Sequence, residues 1–322
     1  MIDVRDYGAV GDGVFDNFQA LQRAVNDALT ARPGEDSTVY IPAGRFLVSA
    51  YSVTPAWFNF TTSTFSAVPN GTVTFQGAGQ NQTFVVAGQQ FNYTGIIGYG
   101  RSGANPQIAQ FNASDLTFDG NYNGAGGAVA QPTTAPGALI SLPWPGTSAS
   151  VATRTGRYHT FTRCRFYRAT GYGFQPTQGV RLIGCELDTL GQPDKTLHYD
   201  NLGSGPGDAI VTGCNWHDSS GNYADFISGS PAFIRLVMTG CTSFNHGLGG
   251  VYACGTQSVI TGNSLANNTA GAGVGYDSGT ATANRSRNVV SGNCLVNIAL
   301  GGSGLSASSY GDLFTGLNSS DG

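Results

Sequence analysis

The sequence predicts an all-β fold, a single-stranded right-handed parallel β-helix with an N-terminal capping α-helix, for three reasons. Short β-prone runs separated by glycine, asparagine, serine and aspartate fill most of the 322 residues, which favours an all-β body. Helical periodicity is confined to one segment near the N-terminus. Matching dipeptides end successive β-prone runs at intervals of 21, 29, 27, 22 and 30 residues, close to the length of one solenoid coil.

The N-terminal elements come first. Residues 4–10 are predicted to form a strand that runs into the turn Gly11-Asp12-Gly13, because glycine tolerates the positive φ angles of such turns. A helix follows, with Asp16 or Asn17 as its cap. Pro33-Gly34 ends this helix, and a strand resumes over residues 38–42. One face of the helix carries apolar residues at helical spacing, namely Phe18, Leu21, Val25 and Leu29.

The coils of the β-helix are marked by dipeptides at a repeated corner. In a stack of coils each corner position lies about 4.7–4.9 Å from its copy in the next coil, so equivalent residues form a ladder. The first four pairs contain cysteines, which we predict to be small, buried ladder residues with free thiols. Cys254 and Cys294 lie off this column, and whether they pair is open. The dipeptides are Arg163-Cys164, Gly184-Cys185, Gly213-Cys214, Gly240-Cys241, Gly262-Asn263 and Gly292-Asn293.

Composition limits the partners and the domain count. Fifteen basic and nineteen acidic residues give a net charge of -4 and a pI near 5.4, without the basic excess that attracts nucleic acid or anionic membranes. No run of apolar residues is long enough to span a bilayer, and the N-terminus lacks a Sec-type signal pattern. We expect one domain over residues 1–322, with a cap at about 1–34, coils at about 35–310 and a Gly/Ser-rich tail at about 301–322.

Four segments carry a resemblance to known families. Residues 4–13 and the helix after them resemble the start of the pectate-lyase-like β-helix superfamily. Three further segments resemble, in the same order, the catalytic module of secreted bacterial mannuronan C5-epimerases. They are Thr-Val-Tyr-Ile-Pro-Ala-Gly-Arg at 38–45, Asp-Leu-Thr-Phe-Asp-Gly-Asn at 115–121 and Thr-Gly-Tyr-Gly-Phe-Gln-Pro at 170–176. The resemblance covers about the first 180 residues and implies a polysaccharide C5-epimerase or a polysaccharide lyase acting on alginate or another polyuronate.

The same resemblance suggests catalytic residues. Tyr172 matches the catalytic tyrosine of the family, whereas Gln175 replaces the family's aspartate and Ala128 lies near the position of an expected lysine. These departures leave altered specificity, elimination chemistry or lost activity as alternatives. The candidates for the partner histidine are His246, which is narrowly preferred, His198 and His217; the candidates for the acid are Asp225, Asp194 and Asp200.

Polyuronate chemistry explains what these residues would have to do. Epimerisation and β-elimination both begin with removal of the C5 proton, alpha to a carboxylate whose charge must be neutralised. Two groups with separate acid and base roles are needed. Six of the fourteen arginines fall within residues 154–181; a cationic strip there would suit carboxylates, although a solvated strand face is equally consistent. The predicted substrate-binding residues are Arg163, Arg165, Arg168, Arg181, Gln175 and Lys195.

The remaining expectations concern histidines, metals and context. We expect His159 at the surface, and we expect Asp218 to lie close enough to orient the His217 imidazole. Because no zinc-ligand spacing and no Asp-x-Asp-x-Asp loop occur, we expect no cofactor and no metal; calcium held by Asp188 and Asp194 has no supporting motif.

A third reading is a phage tailspike-type β-helix that binds or depolymerises glycan, because tailspikes share the start at residues 4–13. The expected partner is an acidic polysaccharide such as alginate, with no nucleic acid and no membrane. The chain would be a monomer, or a trimer in the tailspike case. The expected location is extracellular, reached by a non-Sec route or within a larger exported or virion protein.

Overall fold

The chain folds into a right-handed parallel β-helix of three sheets, as the sequence predicts. The computed structural model describes residues 1–30, 36–49, 72–88, 96–97, 110–122, 126–128, 138–141, 159–169, 172–175, 180–189, 197–199, 207–218, 226–228, 234–245, 251–252, 258–266, 274–275, 289–296 and 313–315.

Sheet A has eleven strands and forms the first wall of the β-helix. Its strands are β1 (Ile2–Asp3), β3 (Ser37–Ile41), β5 (Thr72–Gly77), β7 (Gln110–Ser114), β10 (His159–Thr162), β13 (Val180–Ile183), β16 (Gly207–Thr212), β19 (Ile234–Thr239), β22 (Val259–Thr261), β25 (Val289–Ser291) and β27 (Leu313–Thr315). The last strand lies inside the segment expected to be a tail, so that segment contributes to the solenoid.

Sheets B and C form the other two walls. Sheet B contains β2 (Asp12–Asp16), β4 (Gly44–Val48), β6 (Thr83–Ala87), β8 (Thr117–Asp119), β11 (Arg165–Tyr167), β14 (Glu186–Asp188), β17 (Asn215–His217), β20 (Thr242–Phe244), β23 (Ser264–Ala266) and β26 (Cys294–Val296). Sheet C contains β9 (Ala138–Ser141), β12 (Tyr172–Gln175), β15 (Leu197–Tyr199), β18 (Phe226–Ser228), β21 (Val251–Tyr252) and β24 (Val274–Gly275). A complete coil therefore supplies one strand to each sheet, as β10, β11 and β12 do.

The N-terminus covers the first coils, with one difference from expectation. The predicted strand over residues 4–10 is instead a 3-10 helix, Val4–Tyr7, because the Asp3 side chain accepts a hydrogen bond from the Arg5 amide at 2.9 Å and Gly8 ends the turn at φ 88°.

Helix α1 (Phe18–Thr30) packs on β1, β3 and β5 through its buried face. Of the two predicted caps, the Asp16 side chain bonds an amide of the first turn, whereas the Asn17 side chain is directed at Val10. The Asp16 carboxylate accepts from the Phe18 amide at 3.0 Å, and the buried Asn17 side chain holds Val10 through two hydrogen bonds. Pro33 and Gly34 lie outside the described residues.

The corner between sheets A and B contains the repeated dipeptides. The first member of every pair has a positive φ, from 50° at Arg163 to 65° at Gly262, which explains the preference for glycine. The second members are buried, and the ladder prediction is confirmed: Cys164, Cys185, Cys214 and Cys241 are free buried cysteines. Asn263 and Asn293 continue the column, and the Cys241 amide donates to Asn263 Oδ1 at 2.9 Å. Cys294 is free and exposed; Cys254 lies outside the described residues.

The interior is packed with aromatic rings from successive coils. Phe75 and Phe111 lie 5.2 Å apart, and Phe118 stacks on Phe166 at 5.6 Å, an arrangement worth more than area burial alone. The surface position expected for His159 is wrong: the residue is buried, because it shares the inward side of β10 with Phe161. Its Nδ1 accepts a hydrogen bond from the Phe111 amide at 3.0 Å. Within the described part of the chain, no helix has the length and apolarity needed to cross a bilayer.

Candidate functional site

The outer face of sheet B carries a dense group of charged residues. Alternation along β11, β14 and β17 buries Phe166, Leu187 and Trp216 and turns their flanking residues outward. The pairing register then stacks Arg165 on Glu186 in one column. Tyr167, Asp188, His217 and Phe244 follow one another in the next column.

Asp119 is the most buried carboxylate of this face. Its side chain is only 1% exposed and pairs with Arg168, whose Nε lies 3.0 Å from Asp119 Oδ1 and whose Nη2 contacts Oδ2. Arg45 Nη2 approaches the same Oδ2 at 3.3 Å from β4, two strands away in sheet B. We call these three residues the Asp119 junction. The Asp119 junction physically joins the segments 38–45 and 115–121 that carry the sequence resemblance.

The next two residues of that motif explain its shape. A Cβ atom on Gly120 would lie 2.5 Å from the Arg168 carbonyl oxygen, so a larger residue has no room there. Asn121 has φ 56° and donates from Nδ2 to the Ala87 carbonyl at 2.9 Å. The Asp-Gly-Asn segment therefore holds the chain at Arg168, shortly before β12 begins.

A second group of charged residues spans three neighbouring strands of this face, β11, β14 and β17. We call Arg165, Glu186, Asp188, His217 and Asp218 the carboxylate–histidine cluster. Arg165 Nη2 contacts Asp188 Oδ2, and its Nε lies 3.5 Å from Glu186 Oε1. His217 Nδ1 lies 2.8 Å from Asp218 Oδ2, which confirms the predicted orientation of this imidazole by its neighbour. His217 Nε2 lies 3.4 Å from Glu186 Oε1.

The carboxylates shift the ionisation of His217. Its pKa rises from 6.5 to about 9, first because of the hydrogen bond to Glu186, and also because of Asp218 and the charge of Asp188. The same contact with His217 lowers the pKa of Glu186. The Phe244 ring stacks on the imidazole with centroids 5.0 Å apart. His217 is therefore a cation at neutral pH and serves as the counter-ion of the cluster.

Three members of this cluster could in principle hold a metal ion. Ligand atoms of Glu186, Asp188 and His217 lie within 4.8 Å of one another. However, the Arg165 guanidinium and the protonated His217 already neutralise these carboxylates, so a divalent cation would have to displace two resident positive charges. Asp194, the other residue considered for calcium, lies outside the described residues.

The predicted arginines do not form one cationic strip. Arg163 pairs with Asp115 through its Nε at 2.6 Å and its Nη2 at 2.8 Å, at the corner between sheets A and B. Arg165 and Arg168 pair with carboxylates on sheet B, and both guanidinium groups lie over the Tyr167 ring, with their carbons 4.3 and 4.6 Å from its centroid. Arg181 lies on sheet A, opposite Thr160. Direct substrate binding by these arginines stays a prediction.

The backbone places three other predicted residues together on sheet C. Tyr172 begins β12 opposite Ala138, and Phe174 pairs with Leu197 of β15. Gln175 and His198 are the next residues of these two strands, so they occupy neighbouring positions. Phe174 and Phe226 occupy equivalent positions of their coils, since both align with Leu197. His246, Asp225, Lys195 and Asp200 lie outside the described residues.

The sequence names Arg165, Asp188, His217 and Asp218 separately, but it does not bring them together into the cluster, and it does not point to the Asp119 junction. Asp119 was noted only as part of a motif, and Glu186 was not considered. Both could have been found by stacking the repeats, because the first and third residues after each corner pair face outward: Arg165 and Tyr167, then Glu186 and Asp188, then Asn215 and His217.

Comparisons with known proteins agree with the motifs. Residues 1–135 match the family model described as rhamnogalacturonase A/epimerase, pectate lyase-like. Mannuronan C5-epimerase AlgE5 of Azotobacter vinelandii is 32% identical over 176 residues, which are 54% of this chain and 15% of that protein. The chain resembles mannuronan C5-epimerases. Alginate lyase 7 of the same organism is 34% identical over 129 residues, 39% of this chain and 13% of the lyase.

This mannuronan C5-epimerase-like chain also has a structural relative of low sequence identity. The solved structure described as Geobacillus virus E2 ORF18 superposes with a TM-score of 0.58 at 14% identity, covering 99% of this chain and 58% of the viral protein. The likeness supports the β-helix fold. The chain spans a small fraction of the length of the curated relatives, 15% for AlgE5.

Proposed function

We propose that this chain is a polysaccharide-modifying enzyme that removes the C5 proton of uronate residues, as a mannuronan C5-epimerase does. The observation that carries the proposal is the Asp119 junction. It ties the segments 38–45 and 115–121, which resemble the epimerases, to Arg168, four residues before Tyr172. The epimerase-like segments thus belong to one local structure and are not scattered over the β-helix.

In this proposal Tyr172 and His198 supply the two proton-handling groups. One takes the C5 proton while the carboxylate carries the developing charge, and the other returns a proton to the opposite face of the sugar ring. Their strands are neighbours in sheet C. Gln175 and Lys195 are assigned to the substrate carboxylate, with Lys195 as the neutralising cation. His217 is assigned a structural role, since three carboxylates on sheet B, those of Glu186, Asp188 and Asp218, already pair with it.

A polysaccharide lyase is the second candidate. It is favoured by the 34% identity to alginate lyase 7. Elimination uses the same proton abstraction, after which the bond to the leaving glycosidic oxygen breaks and that oxygen receives the proton. The two activities therefore differ in the fate of one proton. Both imply an acidic polysaccharide as substrate, met outside the cell.

The test is incubation with polymannuronate in deuterated water, followed by proton NMR and by the ultraviolet absorbance of unsaturated uronates. Guluronate signals with deuterium at C5 indicate epimerisation, and rising absorbance indicates elimination. Tyr172→Phe should abolish turnover and Tyr167→Phe should retain it, because Tyr167 lies on sheet B between two arginines. Likewise His198→Gln should lose activity that His217→Gln keeps. Binding without turnover in the wild type would instead favour the glycan-binding, tailspike-type reading.

A further inference from the structure

We propose that Arg168 is a positioning residue of the candidate active site, which fixes the corner from which the chain enters β12 and so sets the place of Tyr172. The inference rests on the proposed function, because Tyr172 is one of its two proton-handling groups. Arg168 directly follows β11 and Tyr172 begins β12, so the chain between them spans at most about 14 Å. A change of backbone direction at Arg168 is therefore transmitted to Tyr172 over a short length of chain.

The backbone of Arg168 has a conformation that arginine seldom adopts. Its φ is 50°, in the left-handed region, where the Cβ atom of an L-residue crowds the following carbonyl oxygen. Aspartate and asparagine tolerate this region through local hydrogen bonds of their short side chains, and glycine has no Cβ to crowd. An arginine in this conformation points to a role for its side chain. The residues that follow the next three strands of sheet B share the conformation, with φ from 54° to 61°; they are Thr189, Asp218 and Asn245.

All three guanidinium nitrogen atoms hold Arg168 in this conformation. Nε donates to Asp119 Oδ1 at 3.0 Å, Nη2 contacts Asp119 Oδ2, and Nη1 donates to the Gly126 carbonyl at 3.0 Å. The backbone is held from both sides as well, because the Arg168 amide donates to the Asp188 carbonyl at 3.1 Å and its carbonyl accepts from the Tyr122 amide at 3.2 Å. The corner is thus tied to the preceding coil by side chain and carbonyl, and to the following coil by the amide.

The same contacts favour positioning over direct substrate binding by Arg168. Its side chain is 11% exposed, and the carboxylate of Asp119 matches its charge. A planar guanidinium can bridge a carboxylate and a carbonyl at once, whereas lysine carries a single ammonium group on a flexible stem. Ala169 follows with its side chain in the hydrophobic core, which anchors the exit from the corner. The direction of the chain toward β12 therefore depends on the shape of the arginine side chain as well as on its charge.

The experiment compares Arg168→Lys with Arg45→Lys in steady-state kinetics of the full chain on polymannuronate. Arg45 is the matched control, because its Nη2 contacts the same Asp119 carboxylate but the residue lies on β4, away from the chain that enters β12. Arg168→Lys should lower kcat at least tenfold and leave KM within twofold of the wild-type value, because Tyr172 is displaced while the residues assigned to the substrate carboxylate are unchanged. Arg45→Lys should keep both constants.

A second readout does not depend on turnover. Hydrogen–deuterium exchange of the β12 amides, Tyr172–Gln175, should be faster in Arg168→Lys than in the wild type, because the corner is then held by fewer bonds. The exchange should be unchanged in Arg45→Lys. If the wild type does not turn over polymannuronate, the proposed function fails, and the exchange rates still decide whether Arg168 fixes β12.

Four results would overturn the proposal. A raised KM with unchanged kcat would mean that Arg168 binds substrate directly, and a lower Tm with wild-type kcat would mean that it only stabilises the fold. An equal loss of kcat in Arg45→Lys, or unchanged exchange of the β12 amides in Arg168→Lys, would also contradict it. If Arg168→Lys does not fold as judged by circular dichroism, Asp119→Asn/Arg168→Met replaces it with the same expected results, since neither charge is then left buried alone.

Discussion

Removing the charge of Asp119 should destabilise the β-helix strongly. In Asp119→Asn, Arg168 keeps its place with a side chain only 11% exposed, but it loses its buried counter-ion. Breaking one partner of a buried pair costs about 3–5 kcal/mol, mainly because the remaining charge is uncompensated. Asparagine still offers an oxygen to the Asn121 amide, which bonds Asp119 at 2.8 Å, so the change tests the charge rather than the turn.

This loss of unfolding free energy corresponds to a measurable decrease in Tm. With an unfolding entropy of about 2.1 cal/mol/K per residue, a chain of 322 residues loses roughly 4–7 °C in Tm for that cost. The assay is thermal unfolding followed by circular dichroism at neutral pH. The double variant Asp119→Asn/Arg168→Met should recover part of the loss, because neither charge is then left buried alone.

The chain contains a matched control for this prediction. Asp115 and Arg163 also form an Asp–Arg pair between neighbouring coils, but the Arg163 side chain is 62% exposed. Asp115→Asn should have the same Tm as the wild type within experimental error, since exposed ion pairs contribute little to stability. The reasoning fails if Asp119→Asn also has the Tm of the wild type, or if the Tm of both variants decreases by the same amount.

The pH dependence of stability, the accessibility and packing of the cysteines, and the close approach at Gly120 can be tested in the same way. The pKa of His217 is raised to about 9, so its stabilising contribution should be complete below pH 6.5 and be lost as the pH rises through about 9. When Tm is measured from pH 6 to 10, it should fall more steeply for the wild type than for His217→Gln. Parallel curves for the two proteins would contradict this. Among the described cysteines, a thiol reagent should label Cys294 in the native protein and reach the four ladder cysteines after unfolding, because the ladder thiols are buried and burial raises the pKa of the Cys185 thiol. Cys214→Ser should also lower Tm by burying a hydroxyl, and an unchanged Tm would argue against the ladder's packing role. Gly120→Ala should fail to fold or have a much lower Tm, because its Cβ would meet the Arg168 carbonyl oxygen. Gly240→Asn should be tolerated, because Gly240 has φ 63° and open space around its Cβ position. Equal Tm values for these two variants would refute the close-approach argument.

Local patterns in the sequence were enough to predict the fold class and much of the order of its elements. The dipeptide repeat and the N-terminal helix predicted a capped solenoid, and the cysteine positions predicted a buried ladder, because both follow from local periodicity and from identical positions on successive coils. Motifs around Arg45, Asp119 and Tyr172 pointed to the epimerase resemblance. The role of His217 beside Asp218 was also predictable, since the two residues are adjacent in the chain.

The pairing of charged side chains, in contrast, could be seen only in the folded chain. Arg168 pairs with Asp119, 49 residues away, and Arg165 pairs with Asp188, 23 residues away. Coils of irregular length hide the strand register that sets such contacts, so the sequence does not reveal that Arg163, Arg165 and Arg168 pair with carboxylates. His159 was misplaced for the same reason: the phase of β10 relative to the interior determines which side of the sheet its side chain occupies. The local pattern of strands and turns determines the repeat, whereas the register between strands of successive coils determines which side chains are in contact.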